Sequence, residues 1–126
     1  MTISEVSEKY GVTPDTLRYY EKMGMIPPVT RTESGIRDYT EEDLRWVELA
    51  KCMRASGLSV EAMVQYVKLF RQGDETVPAR LELLLRQKAE LLERRNKIDA
   101  ALEWLDRKIE RYEVAAETGV LQWEKN

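Results

Sequence analysis

Thr13-Pro14-Asp15-Thr16-Leu17-Arg18-Tyr19-Tyr20-Glu21-Lys22-Met23-Gly24 is the stretch that decides the fold. Thr13 can offer its hydroxyl to the unpaired N–H groups that open a helix. Pro14 follows at the first helical position, where a missing N–H costs nothing. Gly24 closes the run as the usual left-handed C-terminal residue. Upstream, Thr2 caps a shorter helix, Ile3 to about Tyr10, whose apolar Ile3, Val6 and Tyr10 keep helical spacing before Gly11 stops it. A short helix, a tight glycine turn and a second capped helix make a helix-turn-helix candidate. Helical pairs of this kind are common, and the residues after Gly24 make the pattern more specific.

Downstream, Pro27-Pro28 lead into Val29-Thr30-Arg31, a polar turn Thr32-Glu33-Ser34-Gly35, and Ile36-Arg37-Asp38-Tyr39. Two short strand-like runs around a glycine turn predict a small hairpin, the wing of a winged helix-turn-helix. Thr40 with Asp43 is a capping pair for a third helix, about 41–55, ended by Gly57. Ser59 caps a fourth, about 60–72, ended by Gly73. Pro78 can open a fifth, which meets no breaker before Gly119.

That last helix has its own grammar. Leu81, Lys88, Arg95, Leu102, Ile109 and Ala116 recur every seven residues, and Leu84, Leu91, Ile98, Leu105 and Tyr112 recur three positions on. Such a narrow seam cannot bury itself and needs a partner helix. From 78 to 115 the helix would run roughly 57 Å at 1.5 Å per residue, longer than any other helix here. The simplest partner is the same helix of a second copy, giving a homodimer. Lys88 and Arg95 would each face its own copy in a parallel pair, so an antiparallel coiled coil is expected. The chain then divides into two domains: a winged helix-turn-helix head over 1–75 and a dimerisation helix with a short tail over 76–126. Trp104, Leu121 and Trp123 are expected to pack against the partner's head.

Composition narrows the function. The 126 residues carry 20 Lys+Arg, 23 Asp+Glu, no His and one Cys. One Cys excludes an internal disulfide framework, and the lack of His makes a single-chain zinc site implausible and removes imidazole catalysis. No phosphate loop, metal-ligand cluster or nucleophile–base pair is visible, so an enzyme is the least expected class, and no cofactor is implied. No run of 18 apolar residues and no leader-like N-terminus is present, which predicts a cytoplasmic chain with no membrane partner. The net charge of −3 gives no support to a nucleic-acid partner. Within 9–37, however, Lys9, Arg18, Lys22, Arg31 and Arg37 outnumber Asp15, Glu21 and Glu33. A DNA reading must rest on that local geometry.

The run Thr16 to Pro28 resembles the signature of the MerR family of bacterial transcription regulators. The match continues through Arg31, Gly35-Ile36-Arg37-Asp38-Tyr39, Leu44 and the Ser56-Gly57-Leu58-Ser59 turn. Ile36 stands where the family usually has an aromatic, which shortens reach at the wing. The resemblance implies a mainly α protein: a winged helix-turn-helix head and a long C-terminal helix that forms the antiparallel dimer. It implies binding to double-stranded promoter DNA whose spacer between polymerase recognition elements is overlong. Kinking and untwisting that spacer brings the elements into register for the RNA polymerase holoenzyme. Thr13, Thr16 and Arg18 would reach base edges or phosphates, and Tyr19 and Tyr20 phosphates. Adjacent helix residues point about 100° apart, so both tyrosines cannot face the core alike. Arg31, Arg37 and Tyr39 on the wing, and Arg54 before the Gly57 turn, would grip the backbone.

The signal is sought in Cys52. Helical projection puts Trp46, Leu49, Ala50 and Met53 in one apolar sector, with Cys52 about 60° beyond Leu49 and beside Arg45. It is either a small core hydrophobe or a thiol whose reactive form is favoured by nearby cations. A single Cys at this point with a bare coiled-coil tail looks like the thiol-based, aldehyde- and electrophile-responsive (NmlR/AdhR-like) branch, which implies an effector-sensing role for Cys52. Two rival classes share parts of the pattern. A winged-helix architectural DNA bender would not need the long seam, and a coiled-coil interaction module would show no salt-dependent binding to a duplex.

Overall fold

The capping residues do what their chemistry requires. In the computed structural model, which describes residues 1–122, Thr2 and Glu5 form a reciprocal capping box at the start of α1 (Ile3–Tyr10). Thr13 accepts from the Thr16 N–H at 3.1 Å at the start of α2 (Pro14–Met23). Thr40 and Asp43 form a second box for α3 (Glu41–Ala55), and Ser59 caps α4 (Val60–Gln72). Gly11 and Gly24 adopt the left-handed conformation that ends α1 and α2. A 3-10 turn over Asp74–Thr76, which no sequence pattern predicted, leads into α5 (Val77–Thr118). In that turn the buried Thr76 hydroxyl lies 2.6 Å from the Leu69 carbonyl and accepts from Arg80 Nε at 3.0 Å.

The wing is slighter than expected. Among the described residues no strand forms; an isolated antiparallel bridge pairs Arg31 with Arg37. The ladder is short because its donors are taken elsewhere. Pro27 and Pro28 have no N–H to give. The Val29 N–H goes to Glu21 Oε2 at 2.9 Å, and the Thr30 N–H to Asp43 Oδ2 at 3.2 Å. What remains is a turn closed by Gly35 N–H to Thr32 O (2.9 Å), with Gly35 at φ +87°, and two cross-wing bonds, Thr32 N–H to Ile36 O (2.8 Å) and Asp38 N–H to Thr30 O (2.7 Å). The Met1 amine donates to the Tyr39 carbonyl at 2.9 Å and ties the wing's end to the start of the chain.

The chain divides into two compact units, Met1–Lys88 and Ala89–Asn126. In the first, Val6, Leu17, Met25, Ile26, Val47 and Met63 are essentially sealed from solvent. Each such side chain stabilises the fold by roughly 1.5–3 kcal/mol. Trp46 meets Phe70 edge-on at 4.9 Å between centroids and joins α3 to α4. Leu83 on α5 is buried as well, so the opening turns of α5 share this core. In the second unit the seam positions Ile98, Leu102, Leu105, Ile109 and Tyr112 are all about half exposed. Leu81 and Leu84 in the first unit are exposed too, and Leu91 is half-buried. Trp123 lies outside the described residues; Trp104 is exposed and Leu121 half-buried.

Candidate nucleic-acid interface

α2 sorts its residues by face. Leu17 and Tyr20 turn inward, while Thr13, Arg18 and Tyr19 are exposed and Thr16 is half-buried. Thr13 and Thr16 share a hydroxyl–hydroxyl bond of 2.8 Å at the helix start. Arg18 Nη1 donates to Asp15 Oδ1 at 3.0 Å across an exposed pair, an interaction easily exchanged for another anion. α2 thus exposes the Thr13 hydroxyl, the Arg18 guanidinium and the Tyr19 phenol, group types suited to base edges and phosphates.

Two expected contacts need correction. Tyr39 is 2% exposed and its hydroxyl is buried without a hydrogen-bond partner among the described residues, so it is a core residue and not a grip on backbone. Burial pushes its phenol up; Arg37 pulls it down, and Glu21 and Asp43 push it up again. Tyr20 is also buried, and burial raises its phenol, with Arg54 acting in the opposite sense. The two adjacent tyrosines of α2 therefore split, Tyr19 outward and Tyr20 inward, as a 100° step requires.

The wing arginines converge on one carboxylate. Glu21, its side chain only 12% exposed, accepts from Arg37 Nε at 2.7 Å and lies 3.8 Å from Arg31 Nη2. Arg31 Nη1 donates to the Gly35 carbonyl at 3.0 Å. From the sequence, Glu21 counted only as an opposing charge. The signal that marks it is its position four residues after Leu17, hence on the buried face, where an acid needs a partner. Asp43 is the second such carboxylate. Burial pushes it up, but hydrogen bonds from Thr40 and Thr30 together hold it below the usual range.

Arg54 is exposed, and its Nη1 donates to the Leu58 carbonyl at 2.8 Å, clamping the turn between α3 and α4. Cys52 is exposed, which corrects its expected place at the edge of the core. The core-facing side of α3 is Trp46, Val47, Ala50 and Met53, whereas Leu49 is 37% exposed. Including Val47 moves the centre of that sector to about 150° from Cys52. Among the described residues no group of three or more His, Cys, Asp or Glu could hold a metal. Nor, among them, is any helix long and apolar enough to cross a membrane.

The model of the MerR HTH family of regulatory proteins matches residues 1–69. The chain belongs to the MerR family. It is 53% identical to the HTH-type transcriptional regulator AdhR of Bacillus subtilis over 74% of this chain and 66% of that protein. It is 31% identical to an uncharacterized HTH-type transcriptional regulator of Haemophilus influenzae, over 94% of this chain and 87% of the other. Among solved structures it is similar to HiNmlR, a MerR family regulator lacking the sensor domain, bound to promoter DNA. There the TM-score is 0.81 at 31% identity, covering 95% of each chain. These likenesses are those of the NmlR/AdhR-like branch, and the helix-turn-helix head with a long last helix is the MerR architecture.

Proposed function

We propose that this MerR-family chain binds double-stranded promoter DNA as a homodimer and activates transcription by distorting an overlong spacer for the RNA polymerase holoenzyme. The observation that carries this reading is the exposure of Thr13, Arg18 and Tyr19, with Thr16 half-buried, on one capped helix next to the Arg31–Arg37 wing. Residues 1–75 do the reading and residues 76–126 the pairing. Leu81, Leu84, Leu91, Ile98, Leu102, Leu105, Ile109 and Tyr112 form the seam, most of them exposed in the single chain. Arg54 remains a backbone contact through the part of its guanidinium not directed at Leu58. Similarity to a regulator bound to promoter DNA supports the partner. The half-exposed seam favours a paired regulator over a monomeric DNA bender.

Within the same reading, alkylation or oxidation of the exposed Cys52 thiol is the trigger. The test of DNA binding uses a duplex selected from a random 30-base-pair pool by the wild-type protein. Affinity is expected to fall steeply with salt, because each neutralised phosphate releases counterions. Arg18→Ala is expected to weaken binding about tenfold without lowering the melting temperature. Binding that ignores both salt and Arg18 would overturn the reading.

A further inference from the structure

An acidic residue, Glu21, lies between α2 and the wing arginines assigned to DNA. Asp15 of the same helix has a side chain 95% exposed, whereas that of Glu21 is only 12% exposed. Both Glu21 oxygens are engaged. Oε1 takes the Arg37 Nε, and Oε2 takes the Val29 N–H and faces Arg31 Nη2. Only the inner edge of Arg37 is used in this way; its two terminal nitrogens make no hydrogen bond among the described residues. The Arg37 and Arg31 side chains stay 24% and 44% exposed. One carboxylate thus draws two guanidinium groups against α2 and leaves the outer edge of Arg37 toward solvent, while Arg31 also donates Nη1 to the Gly35 carbonyl. The pairing also fastens a wing that lacks regular strands to the helix that carries Arg18.

We propose that Glu21 is a positioning residue for DNA binding, holding Arg37 and Arg31 in the poses in which they meet phosphate. An unrestrained arginine loses rotamer freedom when it grips an anion, and fixing it beforehand removes that loss. In Arg37 the guanidinium fork serves both purposes, with Nε on carboxylate and the terminal nitrogens open to phosphate. The inference rests on the proposed DNA-binding function and adds a sign to it. Bulk electrostatics says that removing a negative charge strengthens binding to a polyanion. Positioning says that removing this one weakens it.

The experiment compares Glu21→Gln in two backgrounds, wild type and Arg31→Ala/Arg37→Ala, on the duplex selected by the wild-type protein, with a melting curve for each variant. Glutamine keeps the shape and can still accept from the Val29 N–H, but it carries no charge. In the wild-type background the substitution is expected to weaken binding about tenfold. In the background without the two arginines it is expected to leave affinity unchanged or raise it. Stronger binding in the wild-type background, or equal weakening in both, would overturn the proposal; the latter marks a purely structural acid. If Glu21→Gln does not fold, Glu21→Asp decides the matter. It keeps the charge but shortens the reach to the two arginines, so weaker binding supports positioning and unchanged binding overturns it. A wild-type protein that binds no duplex would overturn the regulator reading itself, and this inference with it.

Discussion

At the scale of single residues, burial separates side chains that composition treats alike. Tyr19 and Tyr39 are both phenols within the matched signature, yet one is 45% and the other 2% exposed. The Tyr39 hydroxyl is buried without a partner among the described residues, and a polar group in that state destabilises the fold. Tyr39→Phe keeps the ring and removes the orphan, so it is expected to leave stability unchanged or raise it by about 1 kcal/mol. The pH dependence has a definite sign. Burial raises the folded-state pKa above the unfolded value of about 10, so the stabilisation is complete below that pH and is lost as pH rises through the folded value. Denaturant titrations at neutral pH and above pH 10 check both points: wild type is expected to lose more stability in alkali than Tyr39→Phe. A variant markedly less stable at neutral pH would show that the hydroxyl has a partner. Glu21 illustrates the same lesson from the other side. Its inward position was legible from its spacing to Leu17, but its two arginine partners lie 10 and 16 residues away on the wing, which no helical spacing reveals.

At the scale of elements, the helices were legible and the wing was legible only in outline. Helix ends are set by local chemistry, so Thr2, Thr13, Thr40 and Ser59 fall at the expected caps. The hairpin depends on which donors are free, and Glu21 and Asp43 take two of them. The heptad seam of α5 was equally plain, since its period is written along one helix. Leu105, 46% exposed in the single chain, tests its purpose. Leu105→Glu is expected to convert a dimer to a monomer by sedimentation while the melting of the first unit changes little, because exposed substitutions usually matter by about 0.5 kcal/mol or less. A Leu105→Glu variant that still sediments as a dimer would remove the seam from the account.

At the scale of the whole molecule, the question is how a signal reaches the promoter. Cys52 lies on the solvent side of α3, its carbonyl accepting from the Ser56 N–H at 3.0 Å and facing the Ser56 hydroxyl at 2.9 Å. An exposed thiol can be alkylated without opening the core, which suits a trigger better than a buried one. Cys52→Ser is expected to abolish aldehyde-induced transcription while keeping DNA affinity within about twofold of wild type. A reporter assay paired with a binding titration checks this, and full induction in the variant would discard the thiol and leave the regulator intact. By itself the sequence determined the helix order, the caps, the glycine stops and the apolar seam, because each depends on residues a few positions apart. Only the tertiary structure decided which tyrosine faces inward, that Cys52 is exposed, and that one half-buried glutamate gathers the wing arginines. Those outcomes depend on packing and charge pairing between segments distant along the chain, and no local period encodes them.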